Sequence, residues 1–456
     1  MEASASIAKS SPSYGRLSEP SQSSNTLDLL VKILVPLGLL LSLWVAVQVG
    51  SLDGYLRLFT LKSYHTPLLA MGAGYSLAFL GFQAVRTILW WRYRPYALPP
   101  GQLPRITVII PAYNEGAMVE KAIYSVAESN YPADRLEIIC IDDGSRDDTW
   151  RYMSRAQQRY PELIQTIRFS QNRGKREALY VGFAHGTGDY FVTVDSDSVI
   201  EADTLSQIIA PMIKDSEVGA VAGNVKVYNR TANLITRMLW VRFVLSFDFL
   251  RASQSMYGFV FCTPGALSAY RREAVLPILE EWRHQTFLGI ACTIGEDRAF
   301  TNLVLRRGYH TVYQRSAVVY TTVPETYRGM CRMFLRWDRS NFRESLIQLS
   351  FMFTRYRRRH RVLPILDFFV RELEFPLSCI FVPLLLVSIC LYPLVLVKFI
   401  TALALISFIL TFYYITVEKD MDFVYGVLYS FYAFLFLKWI RPFAALTLRD
   451  GRWLTR

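Results

Sequence analysis

Four long stretches of the chain are apolar and carry no charged residue, two before and two after a polar middle region: 33–49, 67–85, 375–397 and 399–417. Each is close to the ~20 residues that an α-helix needs to cross the hydrocarbon core of a bilayer. The chain is 52% hydrophobic and has a mean hydropathy of +0.21, which is too apolar for an ordinary soluble protein. The sequence therefore predicts four membrane spans.

Arginines beside these stretches predict the orientation in the membrane. One group follows the second stretch and another precedes the third: Arg86, Arg92, Arg94 and Arg105, then Arg355, Arg357, Arg358, Arg359 and Arg361. Because loops rich in Lys and Arg stay in the cytoplasm, we expect a multi-pass protein of the plasma (inner) membrane with its middle region in the cytoplasm.

The C-terminus also carries arginines, namely Arg441, Arg449, Arg452 and Arg456. They predict a cytoplasmic C-terminus, which requires an even number of crossings. A short, tyrosine-rich fifth stretch at 423–437 could cross the membrane, re-enter it or lie in the interface. The even number favours a segment that does not cross.

The net charge of +12 suits either nucleic acid or a membrane surface as a partner. The arginine run at 355–361 has no helix-turn-helix or zinc pattern around it and adjoins a predicted span. We therefore expect contact with membrane lipids and no nucleic acid. The six cysteines form no CxxC pair, and we interpret them as reduced packing residues.

The polar middle region contains three apolar segments that end in polar motifs: RITVIIPAYNE, LEIICIDDGSRDDT and DYFVTVDSDS. Helical patterns separate these segments, which predicts a mostly parallel α/β sheet. Ligands of such sheets bind beyond the carboxyl ends of the strands. We therefore expect the motifs to form one site, although an isolated Asp-x-Asp is more often a surface feature.

The carboxylates of this edge have no His or Cys nearby, so they suit a hard cation such as Mg²⁺ or Mn²⁺. Between the second and third strands, QNRGKREAL supplies Arg173, Lys175 and Arg176, which can neutralise a diphosphate. The alternative is a solvated loop. Tyr113 offers an aromatic face for a base, or is a core tyrosine.

The order of PAYNE, IDDGS, GKREAL, VDSDS, GED and RW resembles inverting nucleotide-sugar glycosyltransferases with the GT-A fold, of the processive membrane-embedded type. Further motifs, among them TPGALSAYRRE, QTFLGIACTIGEDRAF and RWDRSNFRES, are similar to hyaluronan synthases and the nodulation chitooligosaccharide synthase. The resemblance covers residues 104–456.

The resemblance implies a donor site for a UDP-sugar, with a Mg²⁺ or Mn²⁺ cofactor. The implied roles are Tyr113 and Glu115 on uracil and ribose, Asp143 on the base, Lys175 and Arg176 on the diphosphate, Asp195 on the ribose side, and Asp197 on the metal. Asp142, which precedes Asp143, is also predicted to belong to the donor-binding site. It also implies catalytic roles for Asp297 as general base beside Glu296, and for Arg336 and Trp337 on the diphosphate and the acceptor sugar. Trp453, Thr455 and Arg456 correspond to a gating segment of the family.

Two positions depart from the family pattern. Met333 stands where QxxRW has its Gln, and Leu454 stands where WGTR has its Gly. Neither position contacts the base or the metal in the family, so the reaction class is retained, while the donor and product stay open at this point.

The chemistry of inversion fits these residues without the family name. An acceptor hydroxyl must lose its proton as it attacks, and a single carboxylate such as Asp297 suffices. The departing diphosphate can be stabilised by a metal on Asp197 and by Lys175 and Arg336. The alternative for Glu296 and Asp297 is stabilisation of a helix N-terminus.

Two segments are predicted to be interface helices. Arg332, Arg336, Arg339 and Arg343 fall on one helical face, which is typical of a basic helix lying on a membrane surface. The second segment is 231–250, which follows a glycosylation sequon at Asn229 that should stay unmodified in the cytoplasm.

The predicted organisation has six parts: a disordered N-terminus at 1–26, a transmembrane hairpin at 27–92, a GT-A domain at 100–345, a basic interface segment at 346–374, transmembrane and interfacial helices at 375–446, and a C-terminal gating segment at 447–456. The favoured function is a processive polysaccharide synthase most like hyaluronan synthase, acting on UDP-GlcNAc and UDP-GlcA, with a growing polysaccharide as acceptor and coupled export. The alternatives are a synthase of chitin-like oligosaccharides, a glucan or another capsule polysaccharide, and, from another class, a catalytically dead transport or scaffold protein.

Overall fold

A computed structural model describes residues 22–48, 67–354 and 361–451. Arg355, Arg357, Arg358 and Arg359 lie outside the described residues, as do the three predicted gating residues Trp453, Thr455 and Arg456. Helix α1 begins at Gln22, so the predicted boundary of the disordered N-terminus at residue 26 lies four residues inside this helix.

The middle region forms an eight-stranded α/β sheet. The strands are β1 (Ile106–Ala112), β2 (Leu136–Asp142), β3 (Ile164–Arg168), β4 (Tyr190–Val194), β5 (Ser198–Ile200), β6 (Val218–Val227), β7 (Leu267–Arg271) and β10 (His310–Thr321). Their order in the sheet is β3-β2-β1-β4-β7-β6-β10-β5. The pairings β1–β2, β2–β3, β1–β4 and β6–β10 are parallel, whereas β7 runs antiparallel to both of its neighbours, and β5 is antiparallel to β10. A separate hairpin pairs β8 (Thr286–Phe287) with β9 (Ile290–Ala291).

The helices of the described residues, in chain order, are α1 (Gln22–Gln48), α2 (Pro67–Arg92), α3 (Met118–Ala127), α4 (Thr149–Arg159), α5 (Lys175–His185), α6 (Thr204–Lys214), α7 (Leu234–Val244), α8 (Arg251–Ser255), α9 (Arg272–Val275), α10 (Leu279–Arg283), α11 (Glu296–Arg306), α12 (Tyr327–Phe351), α13 (Val362–Glu372), α14 (Glu374–Leu391), α15 (Leu394–Glu418), α16 (Phe423–Tyr432) and α17 (Ile440–Leu446). Two π-helical segments, Leu245–Leu250 and Ala433–Leu437, follow α7 and α16.

The sheet is covered on both faces, because alternate residues of its central strands belong to two different cores. Val108 and Ile110 of β1 pack in one core, whereas Ile109 between them packs in the other with Phe183 of α5. All seven residues of β1 are buried. Near-continuous burial of this kind is the signature of a central parallel strand.

Three helical segments of the described residues are long and apolar enough to cross a membrane: Thr26–Gln48, Val362–Leu391 and Leu394–Glu418. Helix α2 contains the predicted span at 67–85 but is not one of the three. A pair of helices, Phe423–Leu437 and Ile440–Leu446, meets at 45° and would make a fourth span if it crosses as one unit.

The predicted boundary at residue 398 differs from the structure. Lys398 lies inside α15, and the chain breaks instead at Tyr392 and Pro393. Pro393 occupies the N-cap of α15, where its missing N–H costs no helical hydrogen bond. The membrane-length segment before the break begins earlier than predicted, at Val362, because it includes both α13 and α14.

The predicted basic face of α12 does not lie open to lipid headgroups. Arg339 and Arg343 are 3% and 4% exposed. Arg339 forms an ion pair of 3.1 Å with Asp450, and Arg343 donates to the backbone carbonyl of Ile294. The prediction was wrong for these arginines because their partners lie far away in the sequence.

The second predicted interface helix is also largely buried. Trp240 of α7 donates from Nε1 to Tyr414 of α15 over 2.8 Å. Arg237 lies 2.9 Å from Asp28 of α1, which also accepts from Tyr425 over 2.6 Å. Helix α7 therefore joins the transferase sheet to the apolar helices through these contacts.

Candidate active site

The three polar motifs meet at one edge of the sheet, as predicted. Strand β1 is parallel to both β2 and β4, and Ala112 is in register with Asp142. Tyr113, Asp143 and Asp195 each follow the last residue of one of these strands. Parallel strands place their carboxyl ends together, so the motifs converge without any loop having to reach across the sheet.

The two aspartates of IDDGS have different partners. Asp142 is fully buried and pairs with Arg168 at 3.1 Å, while its other oxygen accepts from the backbone N–H of Ser145 over 2.9 Å. Asp143 accepts from the backbone N–H groups of Arg173 and Gly174 over 2.6 and 2.9 Å. Asp142 thus stabilises its own turn, and Asp143 holds the loop that leads to Lys175.

Burial raises the pKa of Asp143 to about 6, and the neighbouring Asp142 adds to the shift against those two N–H donors. Gly144 follows with a φ of +73°, and a Cβ there would lie 2.5 Å from the backbone of Gln171. Only glycine permits this close approach of the two loops.

The loop after β1 is fixed by hydroxyl groups. The N–H groups of Glu115 and Gly116 donate to Thr149 Oγ1 over 2.8 and 3.0 Å. The carboxylate of Glu115 accepts from Ser196 Oγ over 3.0 Å. Ser196 stands between Asp195 and Asp197, so this bond connects the PAYNE and VDSDS motifs; half-buried Tyr113 lies at the start of the same loop.

Lys175 lies at the centre of the site. Its Nζ is 2.5 Å from Asp195 Oδ1 and 3.2 Å from Glu296 Oε1. Burial opposes its charge, but Asp195, Glu296 and Asp297 together raise the pKa of Lys175. A Cβ on Gly265 would lie 2.7 Å from this Nζ, so the absence of a side chain at Gly265 leaves room for the Lys175–Asp195 pair. Gly265 is part of the motif TPGALSAYRRE, but the sequence alone did not indicate its role beside Lys175.

Arg176 is placed differently from Lys175, although both were predicted to contact the diphosphate. It is 6% exposed, and its Nη1 donates to the backbone carbonyl of Trp282 and to Gln285 over 2.5 and 3.0 Å. Burial lowers its pKa. Its side chain therefore packs the donor loop against α10, whereas Lys175 faces the carboxylates.

Asp197 is half-buried and accepts from the hydroxyls of Ser198, Thr321 and Thr322 over 3.2, 3.3 and 3.5 Å. Burial raises its pKa to about 6, and the adjacent charge of Asp195 adds to the shift. Two carboxylates in this setting repel one another, and a divalent cation held by Asp197 would relieve the repulsion.

Among the described residues, one group of three side chains is close enough to share an ion: Asp215, Glu217 and His310. It lies at the amino ends of β6 and β10. Strand β7 is antiparallel to both β4 and β6, so β6 and β10 run in the same direction as β4 and β1. This group is therefore on the edge opposite the site and plays no part in it.

Glu296 and Asp297 occupy the first two positions of α11. Gly295 precedes them with a φ of +72°, and a Cβ there would clash with Ser340 Oγ of α12 at 1.6 Å. Asp297 Oδ1 accepts from the N–H of Arg298 over 2.7 Å, and Cys262 Sγ lies 3.6 Å from Oδ2. The contact of Gly295 with Ser340 therefore sets both carboxylates against the helix that carries Arg336.

The two carboxylates have opposite pKa shifts. Burial works against the charge of Glu296, but Lys175 and Arg336 prevail and lower its pKa. Burial raises the pKa of Asp297, and the negative charge of Glu296 raises it further against Lys175. A pair whose environments separate its pKa values in this way is typical of acid–base sites. Asp297 is the member suited to accept a proton.

Helix α12 supplies the remaining predicted residues. The charge of Arg336 acts on both Glu296 and Asp297. Trp337 is half-buried, with its ring 5.7 Å from Phe334 and 6.2 Å from Phe243. Met333 is 5% exposed and packs in the main core.

The described chain ends against the same elements. Thr293 Oγ1, three residues before Glu296, donates to the backbone carbonyl of Gly451 over 2.5 Å. Arg339 donates from Nε to Thr447 over 3.0 Å, in addition to its ion pair with Asp450. Residues 447–451 therefore lie between α12 and the loop that leads to the acidic pair.

Comparisons with known proteins agree with this geometry. Residues 107–278 match glycosyl transferase family 2. The chain is 30% identical over 360 residues to an N-acetylglucosaminyltransferase of Azorhizobium caulinodans, covering 77% of this chain and 87% of that protein. It is 34% identical over 281 residues to a hyaluronan synthase of Streptococcus pyogenes, covering 60% of this chain and 66% of that protein.

A solved structure has the same fold. The mannosyltransferase of Pyrobaculum calidifontis, in complex with GDP-Man and Mn²⁺, superposes with a TM-score of 0.58 at 23% identity. The alignment covers 79% of this chain and 96% of that one.

Proposed function

Because the chain belongs to glycosyl transferase family 2, we propose that its site performs processive polysaccharide synthesis from UDP-sugars, most like hyaluronan synthase with UDP-GlcNAc and UDP-GlcA. The single observation that carries this proposal is the chain of contacts from Asp195 through Lys175 to Glu296 and Asp297. It connects a strand edge suited to a nucleotide with a carboxylate suited to an acceptor.

The reaction is an inverting displacement. Asp297 removes the proton of the acceptor hydroxyl as that oxygen attacks the anomeric carbon of the donor sugar. The bond from this carbon to the phosphate oxygen breaks, and UDP leaves with the electron pair. Lys175 and Arg336 stabilise the charge that develops on the diphosphate, and no covalent intermediate with the protein is needed.

The donor is held by the motifs of the strand edge. Tyr113 and Glu115 take the uracil and ribose, Asp143 takes the base, and Asp195 lies on the ribose side. Asp142 and Arg176 support this pocket from behind, through their contacts with Arg168 and with Trp282 and Gln285.

The residues present fit a divalent cation, Mg²⁺ or Mn²⁺, held by Asp197 together with substrate phosphate oxygens. The raised pKa of Asp197 fits this role, because it reflects a negative charge in need of a counter-ion. Such a cation supplies charge neutralisation for the leaving diphosphate. Isothermal titration of UDP with Mn²⁺ tests the assignment: Asp197→Asn should remove the gain in UDP affinity that Mn²⁺ gives the native protein.

The attached helices serve export of the growing chain across the inner membrane. Three described segments have the length and apolarity to cross a bilayer. The arginine distribution supports a cytoplasmic transferase domain and contact with membrane lipids. A hydrophilic polymer that grows in the cytoplasm has to cross the membrane, and coupling elongation to export moves the chain out as it is made.

The C-terminal residues Trp453 and Arg456 act as a gate that enters the pocket when donor is bound. The support for this role is the position of residues 447–451 between α12 and the loop before Glu296. A segment that closes over the donor excludes water from the reacting atoms.

A screen of UDP-sugars with purified protein and Mg²⁺ or Mn²⁺ tests the function. Incorporation of both N-acetylglucosamine and glucuronate marks hyaluronan. Incorporation of one sugar alone marks the second candidate, a chitin-like or glucan synthase, which the N-acetylglucosaminyltransferase relative favours. Absence of UDP release from every donor would leave a transport or scaffold role.

A further inference from the structure

Arg251 lies near the reaction centre and has no part in the steps of the displacement. It is the first residue of α8 and is half-buried. Its Nε donates to the backbone carbonyl of Cys262 over 3.1 Å, and its guanidinium carbon lies 3.7 Å from the centre of the Phe247 ring. The hydrogen bond and the cation–π contact together fix the guanidinium against the loop at residues 262–265.

The loop at residues 262–265 is attached to Asp297 at two points. The thiol of Cys262 donates to Asp297 Oδ2 over 3.6 Å. The N–H of Thr263 donates to Thr301 Oγ1 over 3.0 Å, and Thr301 in turn donates to the backbone carbonyl of Asp297 over 2.7 Å. Because the loop is connected to both the side chain and the backbone of Asp297, its position sets the orientation of the carboxylate.

Two groups held by these contacts favour the ionised form of Asp297. Burial raises the pKa of Cys262, and the charge of Asp297 raises it further, so the thiol keeps its proton and can donate it. Burial lowers the pKa of Arg251, and Asp297 is among the acidic groups that oppose this, after Cys262 and Tyr313. A hydrogen bond to a carboxylate and a positive charge near it both stabilise the ionised form.

The charged and titratable groups that act on Asp297 come from several elements. They are Glu296 on its own helix, Lys175 on α5, Arg251 on α8, Cys262 in the loop, Tyr270 on β7 and Arg336 on α12. The charge of Glu296 favours the protonated form of Asp297, whereas the lysine and the two arginines favour the carboxylate. Loss of the Arg251 charge would therefore raise the pKa of Asp297, an effect that loss of packing alone would not have.

Arg251 follows the π-helical segment Leu245–Leu250, which packs against the apolar helices. Phe249 of this segment stacks on Tyr413 of α15, with ring centroids 3.9 Å apart. Helix α15 is one of the segments suited to cross a membrane. Segments with π-helical geometry are frequent at functional sites. Arg251 thus connects an apolar helix to the loop beside the base.

We propose that Arg251 is a positioning residue of the reaction, which holds the loop at residues 262–265 against Asp297 and faces this base with a positive charge. The inference rests on the proposed function, because it takes Asp297 as the group that removes the acceptor's proton. Arg251 acts on that group through Cys262 and through its own charge.

The test measures UDP release from UDP-sugars by the full chain in nanodiscs as a function of pH. Arg251→Gln should move the acid limb of kcat to higher pH by about one unit, the lower end of the effect of a nearby cation on a carboxyl group. The limb moves in this direction because the base works only above its pKa, which rises when the cation is lost. Arg251→Lys keeps the charge and should keep the limb near its native position.

Arg251→Met is a second neutral variant, which keeps an unbranched apolar side chain against Phe247 and supplies the same loss of charge if Arg251→Gln does not fold. It should show the same shift of the limb. The matched control is Arg237→Gln, because Arg237 is also buried but pairs with Asp28 of α1 at 2.9 Å. Arg237→Gln should lower the Tm and leave the limb in place.

An acid limb that the neutral variants leave unmoved, or that Arg251→Lys moves equally far, would overturn the inference. Either result from a native protein that releases UDP retains the proposed function and refutes only the role of Arg251. A native protein that releases no UDP from any donor refutes the proposed function itself.

Discussion

The ammonium group of Lys175 lies 3.2 Å from the carboxylate of Glu296. This contact joins the first residue of α5 to the first residue of α11, which come from separate parts of the sequence. It keeps Glu296 ionised, and the ionised Glu296 in turn raises the pKa of Asp297. Burial is the larger cause of the raised pKa of Asp297, and Glu296, a residue that does not itself react, adds to it.

Glu296→Gln should shift the pH profile of kcat toward acid. Asp297 acts as a base only above its pKa, so activity falls as the pH drops through that value. Removing the negative charge of Glu296 lowers the pKa of Asp297, and Lys175 is then free to lower it further. The acid limb should move to lower pH in a UDP-release assay. An unmoved limb, or one moved to higher pH, would show that Glu296 does not set the pKa of Asp297.

Met333→Gln should destabilise the protein. The family pattern has a glutamine at this position, but Met333 is 5% exposed and packs in the main core. Burying an amide without a partner costs about 1–3 kcal/mol. Thermal unfolding should show a lower Tm for Met333→Gln, whereas Met333→Leu keeps the volume and should change little. An unchanged Tm with higher UDP-sugar affinity would mean that position 333 faces the donor.

Removal of residues 452–456 should abolish polymer synthesis and leave UDP affinity within a few-fold. The truncated chain keeps Asp450 and Gly451, so the contacts with Arg339 and Thr293 remain. A second variant, Asp450→Asn, weakens only the ion pair and should reduce polymer synthesis less. Full-rate polymerisation by the truncated protein would leave Trp453 as an anchor in the lipid interface.

Much of this architecture was predictable from local sequence. The strands β2 and β4 could be recognised because buried parallel strands are apolar throughout. The Asp residues that end β2 and follow β4 could then be placed at one edge of the sheet, where the carboxyl ends of parallel strands meet. Glycines such as Gly144 fit the turns that follow. The acidic pair could be placed at a helix N-terminus because carboxylates are favourable there.

Features set by distant partners were not predictable. Arg339 was assigned to a membrane surface because its partner Asp450 is more than a hundred residues away. Arg176 looked equivalent to Lys175, but adjacent residues of a helix project in different directions. Arg176 reaches the backbone carbonyl of Trp282, whereas Lys175 reaches Asp195 and Glu296. The helix break at Pro393 was missed because Lys398 looked like the stronger interruption.

The most direct test of the central claim is the UDP-sugar affinity and polymer yield of Asp297→Asn. Asparagine keeps the shape of the side chain but cannot accept the acceptor's proton. We expect polymer synthesis to fall by about 10²–10⁴-fold, the contribution of a positioned base, while UDP-sugar affinity stays within a few-fold. A variant that polymerises at the native rate, or one that loses UDP-sugar binding, would contradict the assignment of Asp297 as the base.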